Sequence, residues 1–547
     1  MYNYLFLTLF LFCLINSTAL SQELRWIWAK SPERSHPEAL DERQSGHQIV
    51  VDSKGTVFIT GEQKFLLRPY TDTYWQVRPF LSRYDSKGAT LLVHFYDDYD
   101  TNYTRLRIDG SDNLYMAGTY KGYIHLANKT LSGSSTSSSG FVYAIKPAAT
   151  EVYWAKATVG KNNVRIHDVA VDRNRNVCIT GTFLQPYISL EKDTLYSKGN
   201  NDFFIAKYNS LGDLLWARSA GEDDAENGIC ITADPSGNIY VAGTFYSDSI
   251  AFGEITLTHR DRNDIFLVKY NPNGNILWAK TIGTFGMDRL SGLYTDKRGN
   301  IILLGNFLAP SITLGGFLLI NSNPGTNDVF LFRIDSDGNV LNGLALGGTN
   351  DDIVTSLAED RFGNLFLGGY FKSPYLTVGT NTVLNAGSSD IFIAKIDTNG
   401  LFSWVRSAGG QEEEKCNGIG VDTLDGIYIT GSFKSSELNF GERTLKRKGS
   451  EAMFIAKLDM ETTSTIETVE HNPEKIMHAV QGRIFIPYST FGNRIIQIYS
   501  LTGEMLQENH MNEYEEFLPI SGLIRGQYFY RISGNGFNTR TGVILIE

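Results

Sequence analysis

At 547 residues, with 42% hydrophobic and 12% aromatic side chains, the chain is longer than one ordinary domain and too apolar to be disordered. Its net charge of −11 comes without a long single-sign block, which argues against a nucleic-acid backbone or an anionic membrane as the main partner. Four cysteines in no zinc or CxxC spacing exclude a dense disulfide frame.

The first stretch, "MYNYLFLTLFLFCLINSTALSQ", holds an apolar run of signal-peptide length, and "ALS" before Gln22 fits a small-residue cleavage site, although the early basic residue is missing. Residues 1–21 are therefore expected to direct export and be removed. Phe12 before Cys13 excludes a lipoprotein anchor at that thiol. Cys178, Cys230 and Cys416 remain; three thiols cannot all pair, and they are expected to be buried apolar fillers. No later segment is apolar enough to cross a bilayer as a helix, so no transmembrane span is expected after signal removal.

Residues 22–459 repeat. A glycine that follows a short apolar strand recurs at Gly61, Gly118, Gly181, Gly243, Gly305, Gly369 and Gly431, at intervals of 57, 63, 62, 62, 64 and 62 residues. Each copy carries four β-rich pieces, as in "NGICITAD", "NIYVAGTF", "DIFLVKY" and "NILWAK", separated by turns such as "DPSGN" and "NPNGN". The strands are apolar on both faces, which blades stacked face to face would hide. The ends complement each other. "WIWAK" at 26–30 is a fourth strand without the first three, and the seventh copy, ending in "MFIAKLD" at 453–459, lacks a fourth. The expected fold is all-β, a seven-bladed β-propeller closed by an N-terminal strand.

The "D-x-x-G-N-x-Y-x-x-G" core and the "W-A-K" strand resemble the bacterial SBBP repeat family, closely in copies three to seven and more loosely in the first two, where "EQKFLLRPYTDTYWQVRPF" replaces the usual connector. That resemblance implies a propeller and no single activity.

After Asp459 the polar stretch 460–475 reads as a linker. Residues 476–547 carry further alternating strands, which suggest a small Ig-like β-sandwich. "IYSLTGEML" (498–506), "ISGLIRGQYFYRI" (520–532) and "TGVILIE" (541–547) resemble the C-terminal sorting domain of the type IX secretion system, with Leu523, Gly526 and Tyr528 in the positions of its "L-x-x-G-x-Y" run. His471 before Asn472–Pro473 departs from the customary tyrosine. The resemblance implies that type IX machinery carries the protein through the outer membrane of a Gram-negative bacterium, then removes this domain, leaving the protein released or surface-attached. The alternative is an ordinary Ig-like module that pairs with a partner.

No catalytic constellation is visible. Nine histidines are scattered without ligand spacing, and no G-x-S-x-G elbow occurs. "DSDGN" at 335–339 begins like a calcium loop, but the twelfth position is Leu346 in place of glutamate, so a hairpin turn is expected. One acidic register stands out. Glu226, Asp288, Asp352 and Glu414 each lie eight residues before the repeat aspartate, where earlier copies have Gln44, Thr101 and Val164. At one mouth of a central channel these carboxylates could bind a cation or a polyhydroxylated ligand; alternatively, each accepts backbone hydrogen bonds in its own connector. No cofactor is implied. The tryptophans of the "W-A-K" strands (Trp28, Trp154, Trp216, Trp278, Trp404) are expected to pack between blades rather than to stack on sugars.

Two functions are compatible with this reading. One is a non-catalytic binding or adhesion module for a surface glycan or protein, with connectors 62–80, 121–140 and 308–326 as contact loops. The other is a secreted polysaccharide hydrolase or lyase using the acidic set.

Overall fold

The computed structural model describes residues 22–32, 39, 41–67, 74–96, 101–126, 128–146, 151–258, 264–282 and 288–462, and within the C-terminal part 476–480, 483–485, 494–500, 505–511, 517–519, 523, 526–534 and 540–546. The expected signal peptide at 1–21 lies outside them, as does the stretch 463–475. No helix occurs among the described residues.

One compact unit, Ser21–Thr462, is a seven-bladed β-propeller. Blade 4 shows the plan: inner strand Glu226–Ala233, second strand Ile239–Phe245, third strand Asp264–Tyr270 and outer strand Ile276–Ile282, each antiparallel to the next. The second and third strands are buried at every position, because each is covered by a neighbouring blade on both faces. The inner strands pack against one another in a closed circle that returns from Glu414–Val421 of blade 7 to Asp41–Val51 of blade 1.

The closing strand is where the complementary ends require it. Gln22–Lys30 pairs antiparallel with Ala452–Thr462, Arg25 opposite Asp459 and Lys30 opposite Ile455. The third strand of blade 7 continues to Thr462 because Gln22 and Glu23 pair with Thr462 and Glu461, so the first residues of the stretch read as a linker are strand.

Each copy from blade 2 to blade 7 also holds two short strands that the four-strand reading missed. They form a hairpin between the second and third strands, such as Tyr187–Leu190 with Asp193–Tyr196 or Tyr375–Val378 with Asn381–Leu384. Only four residues long, these strands bury one side (Ile188, Leu190, Leu376, Val378) and expose the other. In blade 1 the hairpin is absorbed: the second and third strands lengthen to Val57–Leu67 and Tyr74–Tyr84 and pair along their whole length.

A feature common to all seven inner strands explains the repeated glycine. Each strand carries a β-bulge, its extra residue lying between Gly46 and Gln48, Tyr103 and Arg105, Ile166 and Asp168, Gly228 and Cys230, Leu290 and Gly292, Val354 and Ser356, or Cys416 and Gly418. The bulge presses a carbonyl of the inner strand onto the second strand. A Cβ on Gly243 would lie 2.0 Å from the Asn227 carbonyl oxygen and 2.4 Å from the Phe266 ring; on Gly369 it would lie 2.1 Å from the Ile353 carbonyl oxygen. The extra residue also joins neighbouring blades. Ser291 Oγ donates to Val354 O at 2.7 Å, Thr355 Oγ1 to Cys416 O at 2.7 Å, and Asn417 Nδ2 to Gly46 O at 2.8 Å.

The second compact unit, within Thr463–Glu547, contains seven strands in one hydrogen-bonded series. Its order runs Met505–Met511, Arg494–Tyr499, Gly526–Gly534, Arg540–Ile546, Ile476–Val480, Arg483–Phe485, Phe517–Pro519. The parallel pairing of Ile476–Ala479 with Val543–Ile546 joins what a sandwich would keep as two sheets.

Candidate functional site

The acidic register is real in space, but its members are not presented to solvent. Glu226, Asp352 and Glu414 are the first residues of their inner strands, and Asp288 stands one residue before its own; all four are buried. Glu226 accepts from Glu222 N at 3.0 Å and Ser247 Oγ at 2.5 Å. Asp352 accepts from Ser373 Oγ at 2.7 Å and Ser373 N at 3.2 Å, and Glu414 from Gly410 N at 2.9 Å and Ser435 N at 3.1 Å. These are the connector acceptors of the alternative reading. The structure does not gather the four into one cluster, and among the described residues no group of three or more acidic, histidine or cysteine side chains could hold a metal.

A second carboxylate register accompanies the first and was missed in the sequence. Asp264, Asp328 and Asp390 open their third strands and Asp202 is the second residue of its own; each lies 24 residues before a member of the first set, and all are buried. Burial, with a smaller contribution from the like-charged neighbour across the blade boundary, pushes Asp352 and Asp390 up to about 6; Asp328 is the neighbour of the first and Glu414 of the second. Glu226, beside Asp202, is raised for the same two reasons, burial first. Glycines give these aspartates room: a Cβ on Gly221, Gly347 or Gly409 would lie within 2.3 Å of the carboxyl of Asp202, Asp328 or Asp390. The recurring "G-x-x-x-x-[DE]" at Gly221–Glu226, Gly347–Asp352 and Gly409–Glu414 was the available signal.

Other candidates resolve into structure. The repeat aspartate is an Asx-turn acceptor: Asp234 Oδ1 takes Ser236 N at 2.8 Å and Asn238 N at 3.0 Å, and Asp172, Asp296 and Asp360 do the same. Asp335 of "DSDGN" bonds Asp337 N and Asn339 N in a hairpin turn. Trp154, Trp216 and Trp278 each donate through Nε1 to a turn carbonyl of the following blade, Ser210 O, Pro272 O and Ser336 O, at 3.0–3.2 Å. Gly212 and Gly274 lie flat against two of those indoles. The three thiols are free and buried, and burial raises each to about 12.

The hub of the ring is charged in a way no motif announced. Arg105 and Arg107 of blade 2 reach Asp168 of blade 3, with Arg107 Nη2 at 2.8 Å and Arg105 Nε at 3.3 Å from Oδ1. Asp168 Oδ2 accepts from Ile231 N of blade 4 at 3.0 Å. Burial pulls the Arg105 guanidinium down, but Asp168, Cys230 and Tyr294 together outweigh it and the group is held more firmly protonated than usual. Tyr294 of blade 5 lies across Gly292, where a Cβ would meet its ring at 2.4 Å, and its hydroxyl accepts from Leu357 N of blade 6 at 3.2 Å. Two guanidiniums facing one carboxylate knit three inner strands together.

In the C-terminal unit, Gly526 opens a strand opposite Ile546, and Tyr528, opposite Ile544, is buried; Leu523 lies half-buried before that strand. His471, Asn472 and Pro473 lie outside the described residues.

No family model matches the chain. It is 28% identical over 206 residues to the uncharacterized WD repeat-containing protein L264 of Acanthamoeba polyphaga mimivirus, covering 32% of this chain and 15% of that protein. It is 27% identical over 288 residues to the regulatory protein FlaEY of Caulobacter vibrioides, covering 49% of this chain and 30% of that one. The chain thus spans less than a third of the length of either relative. Among solved structures, the extracellular domain of BT4673 from B. thetaiotaomicron aligns over 96% of this chain and 99% of its own, at 10% identity and a TM-score of 0.17. A Synechocystis apocarotenoid oxygenase variant aligns over 78% and 92%, at 12% identity and a TM-score of 0.34. These likenesses assign no activity, and the chain stands described by its own geometry as a seven-bladed β-propeller with a second small β unit.

Proposed function

We propose that the chain is an exported, non-catalytic binding module of the SBBP-repeat type, carried to the cell exterior by the type IX secretion machinery through its C-terminal unit and then released or held at the surface. The observation that carries the binding role is the row of exposed apolar side chains on the short hairpins: Tyr123 at 63%, Tyr196 at 71%, Ile320 at 60%, Tyr375 at 55% and Leu384 at 70% exposure. Tyr187 and Tyr196 face each other across one hairpin, ring centroids 6.3 Å apart. Such side chains on a closed, rigid ring are what a contact surface for a glycan or protein requires. They fall within two of the connectors expected to carry contacts, 121–140 and 308–326, and on their equivalents in neighbouring blades.

Further support comes from the acidic residues. Carboxylates that already accept bonds from their own connectors have no free arrangement for acid–base work, and the thiols are too buried and too weakly acidic to act as nucleophiles. Whole-cell and glycan-array binding by the full chain tests the proposal; absence of binding on both would overturn it. Fractionation of the native protein, with determination of its mature C-terminus, tests delivery: an uncleaved C-terminus in the periplasm would refute the sorting role.

A further inference from the structure

The closing strand does more than complete a sheet. A cavity of about 690 Å³ lies along it, bounded by Leu24–Ile27, by Arg406 and Ser407 of the outer strand of blade 6, and by Phe440–Arg443 of the blade 7 hairpin. That volume lies within the range of small-ligand pockets. Trp26 meets Phe440 edge-on in its wall, ring centroids 4.8 Å apart. Three guanidiniums line it, Arg25, Arg406 and Arg443, against one carboxylate, Glu442, in a protein whose net charge is −11.

Two of the three, Arg406 and Arg443, are not consumed by the fold. Arg406 donates only to the adjoining Val405 carbonyl, at 3.2 Å, and lies 5.9 Å from the Trp404 ring centroid. Among the described residues, neither Arg406 nor Arg443 forms an ion pair. Arg443 Nε donates to Trp26 O at 3.0 Å, so the free edge of the closing strand is already occupied there. A peptide strand added to that edge would have to share the Trp26 carbonyl with Arg443, which favours recognition through side chains.

We propose that this seam pocket binds an acidic sugar, a uronate-bearing segment of a polysaccharide. Its carboxylate is gripped by guanidinium forks, and its ring rests against Trp26. The assignment rests on the binding role proposed above and names a ligand class for it. It also makes the site dependent on ring closure, since Arg25 and Trp26 reach the pocket only when the N-terminal strand has paired.

Titration calorimetry of the full chain with trigalacturonate as the probe tests the proposal, with an uncharged galactose trimer and a hexaglutamate peptide as the comparison ligands. Trigalacturonate is expected to bind, to weaken as salt is raised, and to lose about tenfold or more in affinity in Arg406→Ala, roughly one charge-assisted hydrogen-bonded contact. Arg406→Lys, which keeps the charge and loses the fork, should fall between. Arg218→Ala, at the corresponding position of blade 3, should bind normally. No binding of trigalacturonate, binding unchanged in both Arg406→Ala and Arg443→Ala, or loss in Arg218→Ala alone would overturn the site. Equal binding of hexaglutamate would overturn the sugar. If arrays or cells bind while trigalacturonate does not, the pocket falls and the binding module stands; if nothing binds anywhere, both fall.

Discussion

The inner ring and the outer rim of the propeller are written by the same repeat but answer to different demands. In the ring, bulged strands crowd backbone onto backbone, and identity at single positions is dictated by clearances near 2 Å, as at Gly243 beneath the Asn227 carbonyl. At the rim, the outer strands meet solvent on one side, where Tyr153, Leu215, Leu277 and Leu341 stand exposed at equivalent positions. The ring therefore tolerates little, whereas the rim is free to vary between blades and to carry recognition.

The sharpest way to break that contrast is a methyl group in the ring. Gly243→Ala should destabilise the propeller by roughly 4 kcal/mol, since neither the Asn227 carbonyl nor the Phe266 ring can retreat without moving a strand; urea unfolding measures it. Trp216→Ala, which removes an indole wedged between two blades, should cost about 3 kcal/mol in the same assay.

Next comes a pH effect. Because the folded-state pKa of Asp390 is raised, to about 6, the native protein holds a proton that the unfolded chain has lost. Stability contributed by that proton is present below the ordinary carboxyl pKa and fades as pH rises toward about 6. Asp390→Asn should flatten that loss, by on the order of 2 kcal/mol between about pH 4 and pH 7. Unfolding midpoints equally pH-dependent in both proteins would contradict the burial of this carboxyl.

The smallest effects lie at turns and on the rim. Arg175 holds φ at +61° where Gly237, Gly299 and Gly363 occupy the equivalent turn, so Arg175→Gly should be neutral to stabilising, by less than about 1 kcal/mol. Leu215→Ser, on the exposed outer face, should stay within about 0.5 kcal/mol of the parent.

The same contrast governs what could be read from the residues alone. The blades were legible because the Asx turns and the crowded second strand force Asp, Asn and Gly to recur at fixed intervals, and the seam because one strand is missing at one end and surplus at the other. The short hairpins were not: Ser249–Phe252 and Ile255–Thr258 are four residues each and alternate too briefly to stand out from a connector. The acidic register was visible, but not its meaning, because the partners of Glu226 and Asp352 sit 24 residues upstream, across a blade boundary that no local pattern marks. The cluster of Arg105, Arg107 and Asp168 escaped for another reason. Arg105 and Arg107 lie in a copy that diverges from the others, and only the circle of inner strands brings them to Asp168.

The union of Gln22 with Thr462 has a temporal meaning as well. These partners are separated by almost the entire propeller, so joining them confines a very long segment, and the logarithmic growth of loop-closure entropy adds about 3 kcal/mol over a twenty-residue hairpin. Such a remote pairing is expected to form late in folding, after neighbouring blades have brought the two ends together. Until then the third strand of blade 7 offers a bare edge to any other chain nearby. A circular permutant that opens the ring between two other blades would move that vulnerable moment elsewhere without altering the finished circle.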